Sequence, residues 1–166
     1  MLDVRRIQHD EGSVYREIRL RALRDAPDAF TTTYAQAIER NAGSWDETAD
    51  GAANGTARAI FFILTDGKPT GLAALYLHPE LPGTGELLQV WVAPEHRGSG
   101  AADALLDALF RWGTEEAGFS RVIAEVKASN TRALGFYRRY GFDHLVNIEA
   151  SDPDEIVLEW IPTVES

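Results

Sequence analysis

The residues best placed to do chemistry stand in a row, Arg97-Gly98-Ser99-Gly100-Ala101-Ala102. They follow an apolar run, Leu87 to Val92, that reads as a buried strand. Pro94 closes it, because a proline has no N–H to give a sheet. A helical pattern follows and runs past Trp112. Small residues between a strand end and a helix start leave backbone N–H groups uncovered. Those donors, with the positive end of the helix dipole, make a seat for a diphosphate. The chemistry indicated is the binding of a nucleotide-bearing cofactor, held mostly by main chain. Two familiar phosphate loops fit poorly. The dinucleotide fingerprint G-x-G-x-x-G would need a third glycine where Asp103 stands. The nucleoside-triphosphate loop would need a lysine after its glycines, and none follows.

The spacing that does fit is Arg or Gln, two residues, Gly, one residue, then Gly or Ala, met by Arg97, Gly100 and Ala102. A second motif lies one strand further on, NTRALGFYRRYGF over residues 130–142, in which Asn130, Ala133, Tyr137, Gly141 and Phe142 fall at defined places. Read locally, Asn130 is a good N-cap and Gly141 a good helix terminator, and Ala133 and Tyr137 share one helical face. Together and in this order, the two motifs resemble those of the GNAT superfamily of N-acetyltransferases.

The resemblance implies an α/β protein with the GNAT (acyl-CoA N-acyltransferase) fold: a mixed central sheet of about seven strands flanked by helices on both faces. It implies acetyl-CoA as co-substrate, no metal, and an amine acceptor. The cofactor-binding residues it implies are Val90, Trp91, Val92, Arg97, Gly98, Ser99, Gly100, Ala101, Ala102, Asn130 and Tyr137. In that fold the sheet splays beside the fourth strand and the pantetheine arm lies in the gap like an added strand. Val90 and Val92 would offer main-chain groups there, and one donor could hold the developing oxyanion. Tyr137 would be the general acid for the leaving thiolate, since an unperturbed phenol (pKa about 10) stays protonated; its other reading is a core tyrosine. Several members carry a Glu or His where this chain has Glu86. It would take the amine's proton directly or through water, or else be an exposed strand-start carboxylate. His78 and Glu80 are alternatives nearby, with an exposed surface histidine the default for the former. The acceptor would lie among Phe30, Tyr34, Tyr76 and His78, with Trp45 close by, although each aromatic could instead belong to the core.

The elements that must position these residues can be read from periodicity and turn residues. Strands are expected at 2–7, 57–65, 70–77, 86–92, 121–127, 142–148 and 156–161. A helix over about 11–25 carries Val14, Ile18 and Ala22 on one face and is broken by Pro27. Short helices are expected at about 31–41 and 44–50, and longer ones at about 100–117 and 130–140. Loops cover 79–85 and the acidic turn 151–154. Arg16, Arg19, Arg21 and Arg24 read as a solvated helix face. Arg132, Arg138 and Arg139 read as exposed charge beside the cofactor helix, of which one could meet a CoA phosphate.

At 166 residues, 45% of them hydrophobic, the chain is long enough for one continuous core and too apolar for an acidic disordered chain. A single domain over 1–166 is expected. The net charge of −10 speaks against nucleic acid and suits a cationic acceptor. There is no long apolar run and no signal-like start, so a cytoplasmic protein without membrane contact is expected. A homodimer stays open. The sequence has no cysteine, which removes any acyl-cysteine intermediate. The reading is an N-acetyltransferase acting on a primary amine of a small molecule. Alternatives are a protein or peptide Nα- or lysine acetyltransferase, and a non-catalytic acyl-CoA-binding module.

Overall fold

The computed structural model describes residues 2–163. Seven strands form one mixed sheet: β1 (Leu2–Arg6), β2 (Arg58–Thr65), β3 (Lys68–Leu77), β4 (Thr84–Val92), β5 (Arg121–Lys127), β6 (Asp143–His144) and β7 (Glu155–Trp160), in spatial order β1-β2-β3-β4-β5-β7-β6. Antiparallel pairing runs from β1 to β4 and again through β5, β7 and β6, while β4 and β5 are parallel. Two layers of helix cover the sheet. α1 (Gly12–Asp25), α2 (Tyr34–Ile38) and α3 (Ala42–Ala53) pack on one face, against Ile60, Phe62, Leu72, Ala74 and Trp91. α4 (Ala101–Glu115) and α5 (Thr131–Tyr140) cover the other, against Phe61, Ile63, Leu75, Leu87 and Val122. This is the architecture expected from the motifs. Among the described residues no helix is long and apolar enough to cross a membrane.

Local chemistry explains the elements. Thr33 caps α2 and Asn41 caps α3 through side-chain oxygens that accept N–H groups of the first turn, and Asn130 caps α5 in the same way. α2 is a single short piece at 34–38 rather than a helix over 31–41, because its capping box fixes its start and Arg40 turns away to bond Ser44 and Thr48 of α3. The strand expected at 142–148 is only Asp143–His144. Phe142 is drawn into the core, Val146 is 82% exposed, and the N–H of Ser151 is taken by Glu125 of β5, so the chain leaves the sheet edge early.

Two irregularities in β4 shape the centre of the sheet. Its ladder with β5 covers only Thr84–Glu86 against Arg121–Ile123, and past that point the facing edges part. Within β4, Gln89 adopts φ 58 and the register to β3 slips by one residue, Leu72 facing Trp91 while Ala74 faces Leu88. This is a β-bulge, which adds local twist. The Tyr15 hydroxyl of α1 donates to Gln89 Oε1 at 2.7 Å and pins it.

Candidate active site

One end of the site is the loop before α4. Gly98 and Gly100 sit at φ 78 and 82, a conformation that only glycine takes freely, and a Cβ added to either would meet nothing within 4 Å. α4 therefore begins on a left-handed Gly100 with no side-chain cap, and its first N–H groups face open space. A cleft of about 560 Å3 opens there. Its walls include Val90, Trp91, Val92, Arg97, Gly98, Gly100, Ala102, Asn130 and Tyr137, all expected for the cofactor. Ser99 and Ala101 are not among its walls; Ser99 turns its hydroxyl to the His96 carbonyl and Ala101 is buried under α4. Arg132 and Arg139 reach the cleft as exposed cations, and Arg138 does not. Uncovered N–H groups, a helix N-terminus and two arginines together suit a diphosphate-bearing ligand.

Arg97 is held by its own fold. Its Nη2 donates to Asp25 at the end of α1 at 2.5 Å, and its Nε donates to the Val92 carbonyl at 3.1 Å. Asp25 also accepts the Trp91 indole N–H at 2.8 Å. One carboxylate thus ties α1, β4 and the loop before α4 together. Burial pushes the Asp25 carboxyl up, but the bonds from Trp91 and Arg97 and the charges of Arg97 and Arg21 outweigh it and hold it below the usual range. Sequence reasoning missed Asp25. A signal existed: an acid in the last turn of a helix faces the negative end of the dipole and calls for a cation nearby.

The other end is where β4 and β5 part. Glu86 is the last residue of β4 paired to β5, opposite Ile123, and on its other edge it faces Tyr76 of β3. His78 is mostly buried beside it, not the exposed histidine expected. The backbone N–H groups of Glu80 and Leu81 both donate to His78 Nδ1 at 3.1 Å, so the neutral ring carries its proton on Nε2, which lies 3.5 Å from Glu86 Oε2. Burial pushes the Glu86 carboxyl up; the charge of His78 pulls it down and that of Glu125 pushes it up. Glu80 is exposed and contributes only its N–H.

Tyr137 projects from α5 into the cleft. It is 8% exposed, and its hydroxyl bonds to no described residue. Burial raises its phenol far above the ordinary value, so it stays protonated. Of the residues expected around an acceptor, Tyr76 and His78 gather at Glu86, and Phe30 lines the cleft. Tyr34 packs on the core beneath α1 with Arg24 over its ring. Trp45 does not reach the site: it is 1% exposed and locked edge-on to Tyr15. Arg19 departs from the solvated face expected of its cluster, being 7% exposed. Among the described residues no group of three or more His, Asp and Glu side chains is arranged to hold a metal ion.

Comparison with known proteins agrees with this geometry. Residues 19–142 match the acetyltransferase (GNAT) family. The chain is 32% identical over 84 residues to an L-2,4-diaminobutyric acid acetyltransferase of Streptomyces avermitilis, covering 51% of this chain and 47% of that protein. It is 36% identical over 89 residues to a mycothiol acetyltransferase of Pseudarthrobacter chlorophenolicus, covering 51% of this chain and 27% of that one. The chain thus spans less than half the length of either curated relative. In fold it is similar to the PaiA N-acetyltransferase of Thermoplasma acidophilum, solved in complex with coenzyme A, with a TM-score of 0.80 at 14% identity over 98% of this chain and 99% of that one.

Proposed function

We propose that this chain, which belongs to the acetyltransferase (GNAT) family, transfers an acetyl group from acetyl-CoA directly to a primary amine of a small molecule. The observation that carries the reading is the parting of β4 from β5 between a glycine-lined helix N-terminus and a half-buried carboxylate. Acetyl-CoA would supply an activated thioester. The N–H groups opening α4 would seat its diphosphate, and the free edge of β4 from Leu87 to Val92 would offer main-chain partners to its extended arm.

A primary amine must lose a proton to attack. Glu86 lies at the parting of the strands, its carboxyl pushed above its ordinary value by burial, and can accept that proton directly or through water. His78 Nε2–H orients the carboxylate. Tyr137, protonated and without another partner, can give a proton to the departing thiolate. Holding amine and thioester in one cleft supplies rate through proximity and orientation. Both curated relatives are named for small molecules, and Glu86, Glu125 and Glu155 give this face a charge suited to a cationic amine.

The test is CoA release from acetyl-CoA over a panel of small amines run beside peptides, with calorimetric titration of acetyl-CoA. Release with small amines and intersecting initial-rate lines are expected. Release with peptides alone would move the reading to a protein acetyltransferase. Binding without turnover would make the chain an acyl-CoA-binding module, and no heat with millimolar acetyl-CoA would overturn the reading entirely.

A further inference from the structure

Arg19, in the middle of α1, is a buried cation without a counter-charge. Its guanidinium makes no hydrogen bond or ion pair to any described residue, and its Nη1 is fully enclosed. Its recorded neighbour is the ring of Phe30, 4.6 Å from the guanidinium carbon. Other arginines drawn into the fold are satisfied. Arg5 pairs with Glu11, Arg97 with Asp25 and Arg121 with Glu159, while Arg6 donates to three backbone carbonyls. The chain carries 26 acidic residues against 16 basic ones, so anions are abundant, yet none stands here. A guanidinium cannot shed its charge in a protein, and an unpaired buried charge is costly. Such a site is completed by an anion that arrives from outside.

Its position says which molecule brings the anion. Phe30 lies over the guanidinium and also lines the cofactor cleft, so Arg19, itself not one of the cleft's walls, is set behind that ring. Nη1 is enclosed, but Nε and Nη2 are not and bond to no described residue, and the Nε–Nη2 edge matches the two oxygens of a carboxylate. The charge of Arg19 reaches the Tyr76 phenol, and Tyr76 is the cross-strand partner of Glu86. A fixed cation and a carboxylate therefore both neighbour Tyr76, whose phenol also feels Arg58 and Arg40. That is the complement of a molecule bearing a carboxylate and an amino group.

We propose that Arg19 anchors a carboxylate on the acceptor, making the acceptor an amino acid whose amino group is presented at Glu86. The inference rests on the acetyl-transfer reading and names its substrate class.

The experiment compares diamino acids, their carboxamides, the diamines left by removing the carboxylate, and aminoalkyl phosphonates as acceptors. Released CoA is read with a thiol reagent, which meets no background because the protein has no cysteine. In the parent, kcat/KM for the acid should exceed that for its carboxamide by on the order of 100-fold, since the buried cation is left unpaired by the amide. In Arg19→Met that ratio should collapse to within a few-fold of unity, and Arg19→Lys should restore part of it. With CoA present, the acid should raise the melting temperature of the parent and not of Arg19→Met. Without acceptor, Arg19→Met should melt no lower than the parent, because a buried charge is replaced by an apolar side chain of similar length.

Equal rates for acid and carboxamide in the parent would overturn the proposal, even if Arg19→Met failed to fold. So would a preference for the phosphonate, a lower melting temperature of Arg19→Met, or a loss confined to acetyl-CoA affinity. Absence of turnover with every amine would instead overturn the acetyl-transfer reading, and the acid-against-amide thermal shift would still decide the anchor.

Discussion

Asp25→Ala should loosen the phosphate-facing loop while leaving the protein folded. Asp25 Oδ2 accepts from Trp91 Nε1 at 2.8 Å and from Arg97 Nη2 at 2.5 Å. Trp91 is buried, so its indole N–H loses its partner, at a cost of about 1–3 kcal/mol. The Arg97 pair is partly exposed and adds about 0.2–1 kcal/mol. A loss of about 2 kcal/mol in a chain of this size lowers the melting temperature by roughly 4–8 °C. Arg97 keeps its bond to the Val92 carbonyl, so the loop is loosened rather than released. If a ligand must then reorder one loop residue, at about 1–2 kcal/mol of backbone entropy, acetyl-CoA affinity falls about tenfold. Asp25→Asn keeps an oxygen for the indole and should fall between parent and alanine. Because the Asp25 carboxyl is held below its ordinary value, its contribution is complete above the unfolded-state pKa. It is lost as pH falls through the folded-state value, so the gap between parent and Asp25→Ala should persist at neutral pH and close only in acid. Scanning calorimetry and titration with CoA read both effects. An alanine variant that melts with the parent and binds CoA equally would refute the clamp.

Gly100→Val should abolish CoA binding at a cost of roughly 1–3 kcal/mol in stability. The cost comes from the left-handed backbone rather than a clash, since the added Cβ meets nothing within 4 Å; parent-like binding heat would show the loop assignment wrong. Tyr137→Phe should lower turnover by about 10²–10⁴-fold and leave the melting temperature unchanged, because the hydroxyl bonds to no described residue; a matching loss of stability would make Tyr137 a packing residue. Glu86→Gln should flatten the acidic limb of the pH–rate profile. Burial makes Glu86 hold its proton to higher pH when folded than when unfolded, so it costs stability as pH rises through that window, and the glutamine variant should melt no lower than the parent at neutral pH. An unchanged pH–rate profile would remove Glu86 from the mechanism.

The parts of this protein legible in sequence are those written in local chemistry. The glycines before α4 are needed where φ is positive, and the Asn130 cap with Tyr137 on the next turn marks α5 and the face it buries. The mixed sheet and its splay beside the fourth strand followed from the resemblance, because pairing between distant segments leaves no local mark. Contacts across the chain were opaque. Asp25 meets Trp91 and Arg97 from more than sixty positions away, and nothing near His78 announces that the N–H groups of Glu80 and Leu81 will hold its ring against Glu86. Arg19 misled for a related reason. Its helix alternates arginine with leucine and isoleucine, and periodicity alone does not reveal that Phe30 folds back over one of those cations.

The bulge at Gln89 also bears on how this strand can change over evolutionary time. Ahead of it, Glu86 and Leu88 point toward the α1 side; behind it, Trp91 does, while Val92 packs on the α4 side. The extra residue inverts the strand's even–odd phase, so β4 is written in two reading frames joined at one position. Deleting Gln89 would close the bulge: Val90 would follow Leu88 in plain alternation, and Trp91 would keep its side of the sheet and its indole bond to Asp25. Insertions and deletions are usually absorbed where loops are exposed, as in the 79–85 segment. Inside β4 only the bulge position offers the same tolerance: a codon lost at Gln89 leaves both cores as they are, whereas one lost or gained elsewhere in the strand, with the bulge kept, would exchange their contents.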